Sequence, residues 1–394
     1  MGERLSAQRT LLLLDVDGVL VHPLGYRDAL RATVDHFAGR MGQTVVDITD
    51  DEIAVFEACG ITNEWDSGAI CVSALLLAVL GQQPDLRRDT LDATLAAART
   101  AARPIPRPDF VALARDILAH NHDGGVPSAL HLERLVSRID PAFLPLVSAL
   151  LRDVYDITTP TTRVFQTHTL GGEHFAATYG RPAPFTSASF LAARDQPLLS
   201  PANRDRLLAW ARDPGQGVAV FTARPSLPPA DLNGPPPQGF PPEGELAVEL
   251  VGLDGQVPLI GQGRVKWLAD QYGRPVSDYI KPSPVQALAA IAAAASGTEC
   301  AALESAAALA ERGELAGPLA ALAGGPVRVV VFEDAVGGIR ATERAGETLR
   351  QAGLDVTVEG IGVSPNADKR AALAGVAVRV VDTLDEGLAP IIGG

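Results

Sequence analysis

An apolar run near the start of the chain, Thr10-Leu-Leu-Leu-Leu-Asp-Val-Asp-Gly-Val-Leu20, ends in acids and a glycine. Consecutive leucines without polar alternation predict a strand buried on both faces, as inside a parallel sheet, with its polar residues at the carboxyl end. The period then changes. Tyr26, Ala29, Leu30, Thr33, Val34 and Phe37 recur three and four positions apart, as do Phe110, Leu113, Ala114, Ile117 and Leu118. Each set is one stripe of an amphipathic helix. Residues 22–199 therefore read as mainly helical, with turns at Arg103-Pro-Ile-Pro-Arg-Pro and His122-Asp-Gly-Gly.

Strand-like runs return at 217–222, 257–260, 327–332, 356–361 and 376–381, separated by alanine-rich helical stretches at 285–323 and 336–352. Strands alternating with helices predict an α/β fold with a doubly wound parallel sheet. The first strand stands some 200 residues ahead of the others. The intervening helices thus read as an insertion, giving an α/β core from residues 1–21 and 200–394 and a helical domain from residues 22–199. Pro225 to Pro242 holds eight prolines and reads as an extended surface excursion.

Composition narrows the function classes. A net charge of −14, from 33 basic and 47 acidic residues, lacks the global positive field that drives nonspecific nucleic-acid binding. Nucleic acid and anionic membrane surfaces are therefore not expected partners. Cys59, Cys71 and Cys300 are odd in number and form no Cys-x-x-Cys pair, against a disulfide framework or thiolate zinc site. Asp15 and Asp17 interrupt the first apolar run too early for a signal-peptide core, and no other stretch reaches about 18 uncharged apolar residues. The expected location is cytoplasmic. Only three lysines, Lys266, Lys281 and Lys369, accompany thirty arginines.

Ligands of such sheets sit beyond the carboxyl ends of the strands. Asp15 and Asp17 follow the first strand there, Thr222 the second, and Glu333 and Asp334 a later one, with Lys281 in a turn between. Clustered acids repel unless a cation is present, and an all-oxygen set favours a hard ion such as Mg²⁺. A lysine beside them would offset the charge of an incoming anion.

This set resembles the haloacid dehalogenase (HAD) superfamily of phosphohydrolases. Asp15-Val-Asp-Gly-Val-Leu is similar to its first motif, Val-Phe-Thr222-Ala-Arg-Pro to its second, Ile-Lys281-Pro-Ser-Pro to its third and Phe-Glu333-Asp334-Ala-Val-Gly-Gly-Ile to its fourth, in the family's order. The resemblance implies a HAD-like Rossmannoid core and a Mg²⁺-dependent phosphatase acting on a small phosphorylated metabolite. Asp15 would attack phosphorus to form an aspartyl-phosphate, and Asp17 would serve as general acid and then base. Mg²⁺ would be held by Asp15, the Asp17 main-chain carbonyl and Asp334, with Glu333 close or directly involved. Thr222 would bind phosphoryl oxygens and Lys281 would stabilise charge on the transferred group. Gly18 would allow a tight turn near the phosphate. Arg224 would either touch the phosphate or line the loop, while Lys266 and Lys369 read as solvated side chains.

In the superfamily, an insertion between the first two motifs is a C1 cap, a helical lid that chooses the leaving group. Gly25-Tyr-Arg-Asp-Ala29 with Cys59-Gly-Ile-Thr-Asn-Glu-Trp-Asp66 resembles a branch of subfamily IA, with Glu64 standing where Asp is expected. Asn63, Trp65 and Asp66 would then either contact substrate or pack between helices. Arg163 to His174 reads as a polar, glycine-containing loop whose Arg163, Gln166 and His168 either read the substrate or line a surface turn. His120, His122 and Asp123 read as partners of a helix's terminal carbonyls rather than metal ligands.

Other enzyme classes lack their signatures: there is no Gly-x-Ser-x-Gly elbow, no His-Glu-x-x-His, no Walker lysine before Ser or Thr, and no third glycine after Gly261-Gln-Gly263. Two alternatives to the phosphatase stand. A phosphomutase of the β-phosphoglucomutase type would share the scaffold, although the insertion has no lysine of the kind such caps use. A catalytically silent HAD-fold binding or regulatory protein would have lost motif acids, and none is missing.

Overall fold

The computed structural model describes residues 8–101, 103–119 and 125–393. The chain forms two compact units, one from the stretch through Pro23 together with Asp195–Gly394, the other from Leu24–Arg194. His120, His122 and Asp123 lie outside the described residues.

The first unit carries β1 (Arg9–Leu14), β2 (Val21–His22), β3 (Gln196–Pro197), β4 (Gln216–Phe221), β5 (Leu259–Ile260), β6 (Val327–Glu333), β7 (Val356–Val363) and β8 (Arg379–Val381). Six of these form a parallel sheet in the order β5-β4-β1-β6-β7-β8. The unbroken leucine run now has its reason. Leu11 and Leu13 enter one core with Ala219, Phe221, Val329 and Val331, while Leu12 and Leu14 enter the opposite core with Val218, Val220, Val330 and Phe332. Burying each such leucine contributes roughly 1.5–3 kcal/mol, so both faces of β1 drive folding.

Alanine shapes the first of these cores. Helix Pro284–Ser296 buries Val285 through Ala294 without interruption, and its small side chains let it lie close on the sheet. The closest approach is at Gly217 of β4, where an added Cβ would collide with the Ala294 carbonyl. The alanine-rich stretch is not one helix: Gly297 and Gly313, at φ 74° and 68°, end Pro284–Ser296 and Cys300–Arg312 with left-handed residues.

Two predicted strands come out short. β5 is limited to Leu259–Ile260, and the run at 376–381 pairs only over Arg379–Val381. Val376 and Ala377 instead donate to Leu373 C=O, continuing the turn after helix Ala367–Leu373. The junctions also move, to Pro23/Leu24 and Arg194/Asp195, against the 22–199 boundaries that the pattern predicts. The segment after Arg194 stays with the sheet because β2 and β3 pair antiparallel and Leu198 N–H donates to Leu20 C=O at 2.8 Å.

Among the described residues, the regular structure of the unit Leu24–Arg194 is helical. Its helix Glu64–Gln82 is long and apolar enough to cross a membrane by composition, with mean hydropathy 1.4, although Glu64 and Asp66 lie in its first turn. Two thirds of that window is buried inside the structure, which is the pattern of a core helix.

Gly217→Ala should destabilise the sheet unit by about 1–3 kcal/mol through overpacking against Ala294. A melting temperature unchanged from wild type in thermal denaturation would contradict this reading of the sheet–helix contact.

Candidate functional site

Register alone brings the acids together. Leu14 of β1 stands beside Val220 of β4 and Phe332 of β6, so the next residues along, Asp15, Phe221 and Glu333, share one level at the carboxyl edge. Asp15 N–H donates to Phe332 C=O at 3.0 Å, and Thr222 N–H to Ile260 C=O at 3.2 Å. A cavity of about 250 Å³ opens there, lined by Asp15, Asp17, Thr222, Lys281 and Glu333 among others.

Charge balance dominates this edge. Asp15, Glu333 and Asp334 offer carboxylate oxygens that all lie within 4.8 Å of one another. Lys281 Nζ sits between two of these acids, 2.9 Å from Asp15 Oδ1 and 2.7 Å from Glu333 Oε1, and donates to Phe221 C=O at 3.2 Å. Burial on its own would lower the Lys281 pKa, but the adjacent Asp15 and Glu333 charges win and the net shift is upward. For Glu333 burial comes first and the Asp15 charge second, and together they hold its carboxyl well above the usual range despite Lys281. Burial also raises Asp334, against the pull of Lys369, whose Nζ lies 2.5 Å from Asp334 Oδ2. Lys369 is half exposed, the solvated side chain read from the sequence, and it also pairs with a site acid. Lys266 does bond its own helix's Asp270 at 2.6 Å, on the surface.

Asp17 belongs to a different arrangement. Its Oδ1 accepts from Arg224 Nε at 3.0 Å and Nη2 at 2.6 Å, and its Oδ2 from Nε at 3.1 Å. The same Nη2 donates to Asp195 Oδ2 at 2.9 Å, and the Arg224 and Asp195 side chains are each 1% exposed. Arg224 thus grips Asp17. No local sequence pattern marks Asp195, because the chain's return from the insertion is what brings it here.

Two further residues shape the edge. Gln286, fully buried, donates from Nε2 to Thr222 C=O at 2.7 Å and Ile260 C=O at 2.9 Å, and its Oε1 accepts from Lys281 N–H at 3.0 Å. It ties three segments of the edge together, a role that a glutamine in an alanine-rich helix does not announce. Gly18 has φ 73°, and a Cβ there would meet the Asp334 carboxylate, so the turn after β1 requires glycine both conformationally and sterically.

The three clustered acids can hold a metal ion. Their donors are all hard oxygens, and the buried Glu333 Oε2 has no hydrogen-bond partner, which suits a site completed by a cation. The Asp17 carboxylate is outside this group, being held by Arg224.

No family model and no curated protein matches the chain. Among solved structures, a target of the Northeast Structural Genomics Consortium superposes with a TM-score of 0.66 at 17% identity, over 97% of this chain and 98% of that one. A phosphatase, Tt82 from Thermococcus thioreducens, gives a TM-score of 0.44 at 16% identity, over 93% and 99%. At 17% identity the first of these likenesses speaks for the fold alone.

The remaining candidates lie in the helical unit. Asn63 caps helix Glu64–Gln82, accepting from Trp65 N–H at 2.8 Å, and donates to the Tyr155 hydroxyl at 3.1 Å. Asp66 is buried: Oδ1 accepts from Ser128 N–H at 2.9 Å and Oδ2 from the Tyr155 hydroxyl at 3.2 Å. Trp65 packs against Tyr155 and Phe165. All three are thus engaged in holding helices together. The polar loop predicted over Arg163–His174 is helix instead, Pro160–Tyr179, broken only at Gly171 with φ 77° and ψ 164°. Proline at its first turn favours the helix, and the paired glycines interrupt it without ending it. Along it Arg163 is exposed, Gln166 is buried, and His168 packs between Phe185 and Phe190. Burial, and then the charge of nearby His36, lowers the His168 pKa to about 4.

Gln286→Leu should remove three hydrogen bonds and leave buried partners unsatisfied, destabilising the protein on the order of 3 kcal/mol in urea titrations. Histidine supplies a pH test. His168 is neutral in the fold but takes up a proton in the unfolded chain near pH 6.5, so stability is full above about 6.5 and declines as pH falls toward about 4. His168→Leu should reduce that acid-induced loss by on the order of 1–3 kcal/mol. An unchanged stability–pH curve would show the imidazole to be freely solvated.

Proposed function

We propose that this chain is a Mg²⁺-dependent phosphohydrolase of the haloacid dehalogenase type, cleaving a small organic phosphate monoester through an aspartyl-phosphate. The observation that supports this reading best is convergence: Asp15, Asp17, Thr222, Lys281 and Glu333, from separate stretches of the chain, line one cavity at the carboxyl edge of a parallel sheet. That cavity is smaller than the roughly 300–1,000 Å³ of sites that enclose whole drug-sized ligands, and it suits a phosphoryl group.

On this reading an Asp15 carboxylate oxygen attacks phosphorus as the bond to the alkoxide breaks, and Asp17 passes a proton to the departing oxygen. Water then attacks the acyl-phosphate, Asp17 takes its proton, and the bond between phosphorus and Asp15 breaks to release phosphate. Arg224 bonds both Asp17 oxygens, yet Asp17 remains 36% exposed, so it is open to the proton exchange on its solvent side. Lys281 carries positive charge to the attacking group, and Thr222 offers a buried hydroxyl to a phosphoryl oxygen. Mg²⁺ held by Asp15, Asp334 and Glu333 would supply charge neutralisation of the phosphoryl oxygens. The inserted helical unit is the proposed specificity element, as the family resemblance implies.

Release of inorganic phosphate from a panel of phosphorylated metabolites with Mg²⁺ tests this directly. Asp15→Asn should lower kcat by at least about 10³-fold. Failure of every substrate to turn over above that variant would sink the proposal. Chelation should abolish activity and magnesium restore it. Mg²⁺ should also raise the melting temperature of wild type by linkage, with Glu333→Gln needing higher concentrations for the same shift.

A further inference from the structure

Asp17 is not left to find its own geometry. The Arg224 guanidinium meets it edge-on, with both Asp17 oxygens engaged, and uses Nη2 for the buried Asp195 as well. Arg224 is itself pinned at its backbone, where its N–H donates to Thr222 Oγ1 at 3.2 Å. A planar fork fixed at its base and at its far edge leaves Asp17 little rotational freedom.

Asp195 also has a particular place in the chain. It is the first residue of the sheet unit after the insertion, immediately before β3, whose partner β2 begins four residues beyond Asp17. Asp17 bridges Val21 directly, and Gly18 N–H donates to Val21 C=O at 2.8 Å. The outgoing and returning crossings, the guanidinium and Asp17 thus form one closed loop of contacts, backbone on one side and charge-assisted on the other.

Resting on the phosphatase reading above, we infer that Asp195 is a positioning residue for the acid–base step: through Arg224 it holds the Asp17 carboxylate where a leaving oxygen and then a water can exchange a proton with it. Asp195 touches no reacting atom. Its effect is confined to the two moments at which Asp17 moves a proton, so it depends on the leaving group. A 4-nitrophenolate departs without a proton, whereas an alkoxide needs one.

The experiment is pre-steady-state kinetics of Asp195→Ala with 4-nitrophenyl phosphate and with an alkyl phosphate monoester that wild type hydrolyses. With the first, release of the first equivalent of 4-nitrophenol per site should keep a rate within about threefold of wild type, followed by steady-state turnover slower by on the order of 10²-fold, because the second step needs Asp17 to accept a proton from water. With the alkyl phosphate, the first turnover should itself fall on the order of 10²-fold with KM changed less than about twofold. Removing Asp195 leaves Arg224 with one buried partner fewer, so a second variant, Asp195→Ala with Arg224→Met, removes both buried groups. It should regain melting temperature without regaining turnover. Equal losses on both substrates in the first turnover, or kinetics restored along with stability in the double variant, would overturn the positioning role and leave the phosphatase reading standing. Wild type inactive on both substrates would sink the phosphatase reading and this role with it.

Discussion

The ammonium of Lys281, set between Asp15 and Glu333, is the interaction on which the carboxyl edge of the sheet depends. Parallel register between β1 and β6 forces their terminal acids side by side, and the packing of both strand faces leaves no freedom to separate them. Like charges confined in this way destabilise the fold unless a cation intervenes. Lys281 meets two of them at once, and Lys369 pairs with the third acid, Asp334. Gln286 becomes intelligible in this light. By bonding the Lys281 backbone and the ends of β4 and β5 together, it fixes the distance over which the ammonium must reach.

The sheet was legible in the sequence because its central strands are buried on both faces, and such strands show as unbroken apolar runs. Asp15, Thr222, Glu333 and Asp334 were legible as the polar residues that end those runs. Asp195, Gln286 and Lys369 were not, and for a common reason: each reaches the edge from a segment whose local pattern serves another purpose. Asp195 follows a short helix at the end of the insertion, Gln286 sits in a helix that reads only as alanine packing, and Lys369 lies on a polar helix after β7. Their contacts span 29, 64 and 35 positions, well beyond any periodicity. The misread Arg163–His174 stretch shows the complementary failure. There the polar residues and paired glycines stand among Val164, Phe165 and Leu170, which are buried around the helix rather than along one face, so no amphipathic stripe marks the segment as helical.

The helical unit shows what its polar residues do when buried. Asp66 accepts from the Ser128 main-chain N–H and the Tyr155 hydroxyl, which in turn accepts from Asn63, and Trp65 packs on the Tyr155 ring. A buried carboxyl with neutral partners is destabilised as an anion, and burial raises the Asp66 pKa accordingly. Such a network specifies how helices dock. It also explains why an Asn, a Trp and an acid so close in sequence can look like a recognition motif: the residues that cap and clamp a helix start are of the same types as those that bind ligands.

Arginine outnumbers lysine tenfold in this chain, thirty to three, yet at this edge Lys281 and Arg224 serve in ways that cannot be exchanged. Three acceptors, Asp15 Oδ1, Glu333 Oε1 and the Phe221 carbonyl oxygen, surround the Lys281 nitrogen at 2.9, 2.7 and 3.2 Å. An ammonium has three donors on one atom to meet them, whereas a guanidinium spreads its donors along a plane. Arg224 faces the opposite requirement, since it bridges two separate carboxylates, one buried and one facing the cavity. A single ammonium cannot present one edge to Asp17 and also hold Asp195 with the same directional constraint. Cation geometry therefore follows acceptor geometry at both positions. The overall charge of −14 says little about this edge, where each acid is answered by a cation of the shape its surroundings demand.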